Sequence, residues 1–227
     1  MDERADADCR RPPSRGTAAW IGILAAAALV FSANLAVRPR AEELQRGFVE
    51  WMNDPPQPFA AVLALVNPFL RPVPLAVLSV LLLYWIFVAA RSRAEQHHIV
   101  RAAVVAFIVA EVLGSAMKEL AEQPRPLAVI PGLDAHGYPR DPHGNAFPST
   151  HTAVAVALVA AMWPWMDRRR RIVGVVLAFL VGLNRIYIGA HWPLDVVGGA
   201  AVGMVAASIS WLIESTRGRA SAISASG

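Results

Sequence analysis

Three separated stretches of this 227-residue chain set chemically capable side chains beside long apolar runs. The first, Lys118-Glu-Leu-Ala-Glu-Gln-Pro-Arg-Pro, carries Arg125 and the chain's single lysine. The second is Pro148-Ser149-Thr150-His151, and the third holds Asn184-Arg185, His191 and Asp195. Charged groups at the ends of apolar helices are costly unless they face a cavity or one another. Guanidinium forks match phosphate oxygens two at a time, so Lys118, Arg125 and Arg185 predict a phosphate ligand. Ser149 and Thr150 stand before an apolar run, where backbone N–H groups and the helix dipole form a further anion site. Phosphoryl transfer then needs a nucleophile, charge stabilisation and a proton for the leaving group. His191 lies four residues before Asp195, with Pro193 at a plausible first helical position. Asp195 can therefore reach back and fix the imidazole tautomer, leaving the other ring nitrogen to attack phosphorus. His151 is left as general acid, and the three cations stabilise transition-state charge in place of a metal. No metal and no other cofactor is expected.

The elements that must hold these residues are membrane helices. Hydrophobic residues make up 56% of the chain and charged residues 17%, in blocks that exclude an ordinary soluble domain. A bilayer core about 30 Å thick needs roughly 20 apolar helical residues. That ruler predicts an all-α polytopic fold of six transmembrane helices in a bundle: Ala18–Val37, Val73–Ala90, Ala102–Met117, Thr152–Met166, Ile172–Ile188 and Leu194–Ile213. The first is read as a retained helix and not a cleaved signal, because it lacks a clear small-x-small cleavage site. The chain divides into a cytoplasmic tail (1–17), the membrane domain (18–213) and a C-terminal tail (214–227), expected disordered after Arg217. With both termini inside, cytoplasmic regions hold 13 of the 21 basic residues and the opposite face holds eight. All three chemical stretches then fall at the extracytoplasmic face of a plasma (inner) membrane. The stretch from Arg38 to Pro72 is read as an outer loop with an amphipathic segment near Phe59 to Leu70 at the interface. The arginines flank apolar blocks, which suits lipid head groups and sets nucleic acid aside. Cys9 has no partner in the chain, so no intramolecular disulfide forms.

At the chemical stretches the sequence resembles the type 2 phosphatidic acid phosphatase family, lipid-phosphate phosphatases that share their active-site architecture with vanadium-dependent haloperoxidases. The family pattern of a Lys, six residues and Arg-Pro is met by Lys118, Arg125 and Pro126. Its Pro-Ser-Gly-His is met by Pro148, Ser149 and His151, with Thr150 in place of glycine. Its Ser-Arg, five residues, His, three residues, Asp is met by Arg185, His191 and Asp195, with Asn184 in place of serine. The resemblance implies a phosphohistidine on His191 supported by Asp195, leaving-group protonation by His151, and phosphate held by Lys118, Arg125, Ser149 and Arg185. It covers the stretch from Lys118 to Asp195. The β-branched Thr150 would be strained if this position needs a positive φ.

Taken singly, each residue has a plainer reading: a snorkelling cation, a helix-start residue, or an interfacial histidine beside Trp192. The joint spacing overturns these. His136 and His143 are read as loop residues that at most contact a head group, and His97 and His98 as solvated. Arg168 to Arg171 is read as a topology determinant touching anionic lipid. Glu111 is an intramembrane charge with no nameable partner, one that could border a lipid path. The expected substrate is a polyprenyl diphosphate or another polyprenyl-linked phosphate, followed by phosphatidic acid or phosphatidylglycerol phosphate. The rivals are a non-catalytic lipid-phosphate binding or transport protein and, more weakly, an oxidising enzyme using bound vanadate. The oligomeric state is not legible.

Overall fold

Helices are the only open-chain structures that satisfy every backbone polar group within a bilayer, and all six apolar segments form helices in the computed structural model. It describes residues 12–36, 38–70, 72–90, 92–136 and 144–224, with side chains described outside 72–78 and 216–224. Cys9, Arg4, Arg10, Arg11, Val37, Arg71, Arg91, Arg140 and His143 lie outside the described residues. In chain order the helices are α1 (Arg15–Ala36), α2 (Pro39–Asn53), α3 (Phe59–Val66), α4 (Pro72–Val88), α5 (Arg93–Ala121), α6 (Pro126–Val129), α7 (Thr150–Met162), α8 (Arg168–Tyr187) and α9 (Pro193–Ser224). Short 3-10 turns at Asn67–Leu70 and Trp163–Trp165 extend α3 and α7. Among the described residues, three helices are long and apolar enough to cross a membrane: α1, α5 and the Pro193–Ser215 part of α9.

Two elements depart from the sequence expectation. α2 forms within the stretch read as loop, started by Pro39 at its first turn, where the missing N–H costs nothing. One of its faces buries Gln45, Val49, Met52 and Asn53, while Leu44, Phe48 and Trp51 stay exposed. The loop reading failed because the buried face mixes polar Gln45 and Asn53 with Val49 and Met52, so no apolar stripe marks it. α9 continues as helix to Ser224, past the disorder expected from Arg217. Its alanines favour helix, and no proline interrupts them.

α9 is the central packing element, lying against α1, α5 and α7. Small residues let it do so, as expected where apolar surface in lipid gains little from burial and close contact must hold the helices together. A Cβ on Gly199 would lie 2.4 Å from the Ser149 carbonyl oxygen, and one on Gly203 2.6 Å from that of Ala153. Cross-helix hydrogen bonds add to this: Ser210 Oγ donates to the Ala102 carbonyl at 3.1 Å, and Trp211 Nε1 to that of Ala161 at 3.1 Å. At the α5 start, His98, read as solvated, keeps 37% of its side chain exposed but is also paired. It contacts the buried Glu214, which also accepts from Arg101 at 3.0 and 2.8 Å, and it stacks on Trp165. Glu214 is far from His98 in sequence, so only the fold reveals the pairing. His97 is exposed.

Gly203 meets backbone atoms that cannot rotate away. Gly203→Ala is expected to destabilise the fold by about 1–3 kcal/mol through overpacking, read as a lowered unfolding temperature in detergent. An unchanged temperature would mean that α7 and α9 separate at little cost.

Candidate functional site

Five helix ends and the turn between α8 and α9 meet on one side of the bundle. α5 delivers Lys118 in its last turn, and Arg125 is the residue that caps α6. Thr150 and His151 open α7, Asn184 and Arg185 close α8, and Asp195 lies in the first turn of α9. His191 sits in the turn between α8 and α9. That turn is set by Gly189, whose φ of +63° is accessible to glycine at no steric cost. The N–H groups of Ala190 and His191 then fold back onto the Arg185 carbonyl at 3.1 and 3.2 Å.

Six of the eight predicted site residues line one polar cavity of about 250 Å³: Lys118, Arg125, Thr150, His151, Arg185 and His191. Asn145 and the exposed Glu119 share its wall. Ser149 and Asp195 are fully buried behind that lining. The Ser149 N–H donates to the Asp195 carbonyl at 2.9 Å, so it belongs to the α7–α9 contact and not to the anion site read from sequence. Its hydroxyl accepts from Thr152 Oγ1 at 3.0 Å. The α7 dipole still points its positive end at the cavity.

Asp195 does reach back toward His191. Its Oδ2 accepts the Trp192 N–H at 2.7 Å and lies 3.5 Å from His191 Nδ1. That is ion-pair range and longer than a hydrogen bond, a common state for catalytic contacts before substrate binds. Burial, and then the positive charges of Lys118, Arg125 and Arg185, hold the His191 imidazole well below its ordinary range. The ring is therefore neutral near pH 7 and keeps a lone pair.

Lys118 and Arg185 are oriented by oxygens of neutral groups. Lys118 Nζ donates to the Asn145 carbonyl at 2.8 Å, and Asn145 Nδ2 returns a bond to the Lys118 carbonyl at 3.0 Å. The Arg125 guanidinium lies against Gly144, where a Cβ would come within 3.0 Å of it. Arg185, 2% exposed, donates through Nη2 to the Leu70 carbonyl at 3.1 Å. Asn145 carried no signal in sequence beyond a Gly-Asn turn. His136, read as a loop residue, is instead a structural clamp: it stacks on Tyr187 with ring centroids 4.0 Å apart and bonds the Asn53 carbonyl at 2.9 Å. Among the described residues no group of three or more His, Cys, Asp or Glu gathers to hold a metal.

Thr150 is helical and so escapes the strain foreseen for a positive φ. Its methyl occupies space left by Gly114 on α5, where a Cβ would lie 2.8 Å from Thr150 Cγ2. A second cavity, about 480 Å³ and largely apolar, runs between α4, α5, α7 and α8, lined by Leu82, Phe107, Val154, Leu158 and Val181 among others. Glu111 lines it, and Thr150 and His151 belong to both cavities.

The PAP2 superfamily model matches residues 99–219. A protein of Bacillus licheniformis named bacitracin transport permease protein BcrC is 34% identical over 56% of this chain and 59% of its own length. The undecaprenyl-diphosphatase of Sulfolobus acidocaldarius is 36% identical over 50% of this chain and 54% of its own. The chain thus spans little more than half the length of these curated relatives. The crystal structure of a Bacillus subtilis transmembrane PAP2 type phosphatidylglycerolphosphate phosphatase shares the fold, with a TM-score of 0.64 and 18% identity, covering 84% of this chain and 94% of that one.

The Gly114–Thr150 contact generates a reciprocal test. Gly114→Ala is expected to lower the unfolding temperature, at a cost of about 1–3 kcal/mol, and adding Thr150→Gly should restore most of it. Equal losses in the single and double variants would show that the contact does not carry the effect.

Proposed function

The chain belongs to the PAP2 superfamily, and from that premise we propose that it is an integral membrane lipid phosphatase. In this reading it removes the terminal phosphate of a polyprenyl diphosphate or a related lipid phosphate. The observation that carries the reading is the junction of the two cavities at Thr150 and His151. A cationic pocket of phosphate dimensions opens beside an apolar one, so the matching ligand has an anionic head and an apolar tail. The undecaprenyl-diphosphatase relative supports the polyprenyl diphosphate, and phosphatidylglycerol phosphate, named by the Bacillus subtilis structure, stays the alternative substrate.

The chemistry follows from the positions. Neutral His191 attacks phosphorus through the ring nitrogen away from Asp195, forming an N–P bond as the bond from phosphorus to the leaving oxygen breaks. Burial, and then the charges of Arg185, Lys118 and Arg125, push His151 down to about 3, so in this reading it takes up a proton as the phosphate's negative charge enters and gives that proton to the leaving oxygen. Water then attacks the phosphohistidine, His151 takes the water's proton, and inorganic phosphate leaves. Lys118, Arg125 and Arg185 stabilise the charge on the phosphoryl oxygens throughout, a role that needs no metal. Ser149 acts from behind, holding the start of α7 to Asp195. The proposed setting is a bundle of six membrane spans with both termini cytoplasmic and the site at the outer face of the plasma membrane, where the substrate enters sideways from the bilayer.

A second reading takes up the name of the Bacillus licheniformis relative: a lipid-phosphate binding or transport protein. Binding alone requires the cations but gives no task to His151, His191 and Asp195. Phosphate release separates the two. Purified protein in detergent with EDTA is expected to release phosphate from polyprenyl diphosphate, and faster than from polyprenyl phosphate, phosphatidic acid or phosphatidylglycerol phosphate. His191→Ala should lower kcat by about a thousandfold or more while lipid binding persists. No release by folded wild-type protein would favour the binder, and release that survives His191→Ala would sink the phosphohistidine reading.

A further inference from the structure

Asn184 stands where the resemblance places serine, and it makes two bonds that a serine hydroxyl is too short to bridge. Its Oδ1 accepts from Arg185 Nη2 at 3.0 Å, and its Nδ2 donates to Asn67 Oδ1 at 2.8 Å. Asn67 sits in the 3-10 turn after α3 and donates through Nδ2 to the His136 carbonyl at 3.1 Å. Leu70, at the end of the same turn, supplies the carbonyl that also accepts from Arg185 Nη2. The order of donors and acceptors has no freedom. A guanidinium only donates, so Asn184 must turn its oxygen to Arg185 and its NH₂ to Asn67. Asn67 must then offer its oxygen to Asn184 and its NH₂ to a carbonyl. The chain is anchored at its far end as well. His136 Nε2 bonds the Asn53 carbonyl, and Asn53 Nδ2 donates to Tyr187 O at 2.8 Å, returning to α8 two residues beyond Arg185. Asn184 and Asn67 are 1% and 6% exposed, so a broken link leaves a buried polar group without its partner.

We infer that Asn67 is a positioning residue for Arg185: a polarised pair of amides, running from the α3 turn to the last turn of α8, holds the guanidinium aimed at the phosphate. This rests on the proposed reading that Arg185 binds the transferred phosphoryl group. It also gives the N-terminal part of the chain, which carries no signature residue, a part in the reaction.

The test compares Asn67→Ala, Asn184→Ser and the double variant in full-length protein, using kcat and KM for the lipid and inhibition by inorganic phosphate. Lipid affinity is dominated by the tail, whereas free phosphate reports the head-group contact alone. Each single variant is expected to lower kcat about tenfold with KM changed less than about twofold, and to raise the phosphate Ki about tenfold. Because both changes break one link, the double variant should be no more than about twofold worse than the worse single. Wild-type kcat and phosphate Ki in Asn67→Ala, or a double variant losing about a hundredfold, would overturn the inference. Should Asn67→Ala not purify folded, Asn184→Ser removes the same bridge from the other side and carries the comparison. If the wild type turns over no lipid, the hydrolase reading fails separately, and the rise in unfolding temperature with inorganic phosphate becomes the readout. A rise blunted in Asn67→Ala upholds the positioning role, and equal rises overturn it. No rise in the wild type overturns both the role and the phosphate site.

Discussion

The site depends on one backbone hydrogen bond, from the Ser149 N–H to the Asp195 carbonyl. It joins the start of α7 to the first turn of α9, and so sets His151 on one element against His191 just before the other. The bond can form only because the two helices approach closely along Gly199 and Gly203, with the Ser149 carbonyl itself among the atoms nearest Gly199. In lipid, where apolar surface gains little by leaving its solvent, such small-residue contacts and interhelical hydrogen bonds are what bring helices together. The same contact withdraws Ser149 and Asp195 from the cavity wall. In the proposed reading both act through the groups they hold and not by touching the phosphate.

Electrostatics explains the remaining shape of the cavity. Lys118, Arg125 and Arg185 face a common space, and bringing like charges together away from water is unfavourable unless an anion joins them. Carbonyl and amide oxygens, from Asn145, Leu70 and Asn184, orient two of the cations without supplying a counter-charge of their own. Burial, and then the positive potential so maintained, keep His191 neutral, as the proposed nucleophile requires. At the opposite end of α5 and α9, Glu214 does the reverse, meeting Arg101 and His98 directly and binding the two helices. One end of the bundle closes on itself, and the other stays open to an anion.

In the proposed reading the apolar cavity supplies the second half of the recognition. It begins at Thr150 and His151 and runs among α4, α5, α7 and α8, and that reading puts the lipid tail in contact with Leu82, Phe107 and Leu158. Glu111, a charge without a reading in the sequence, lies on this path.

The linear chain determined the apolar blocks and the types and spacings of Lys118, Arg125, His151, Arg185, His191 and Asp195. Those features are local or strictly periodic, so they survive without coordinates. The tertiary structure decided what sits between them. Thr150 is accommodated by Gly114, 36 positions earlier. Asn184 is explained by Asn67, 117 positions earlier. Ser149 turns its N–H to Asp195 and leaves the cavity. α2 was hidden because its buried face includes Gln45 and Asn53, polar residues that break the apolar pattern yet are satisfied by the backbone N–H of Leu194 and the carbonyl of Tyr187. A hydrogen bond or a filled gap between distant residues has no period and no motif. It exists only once packing brings the partners within about 3 Å.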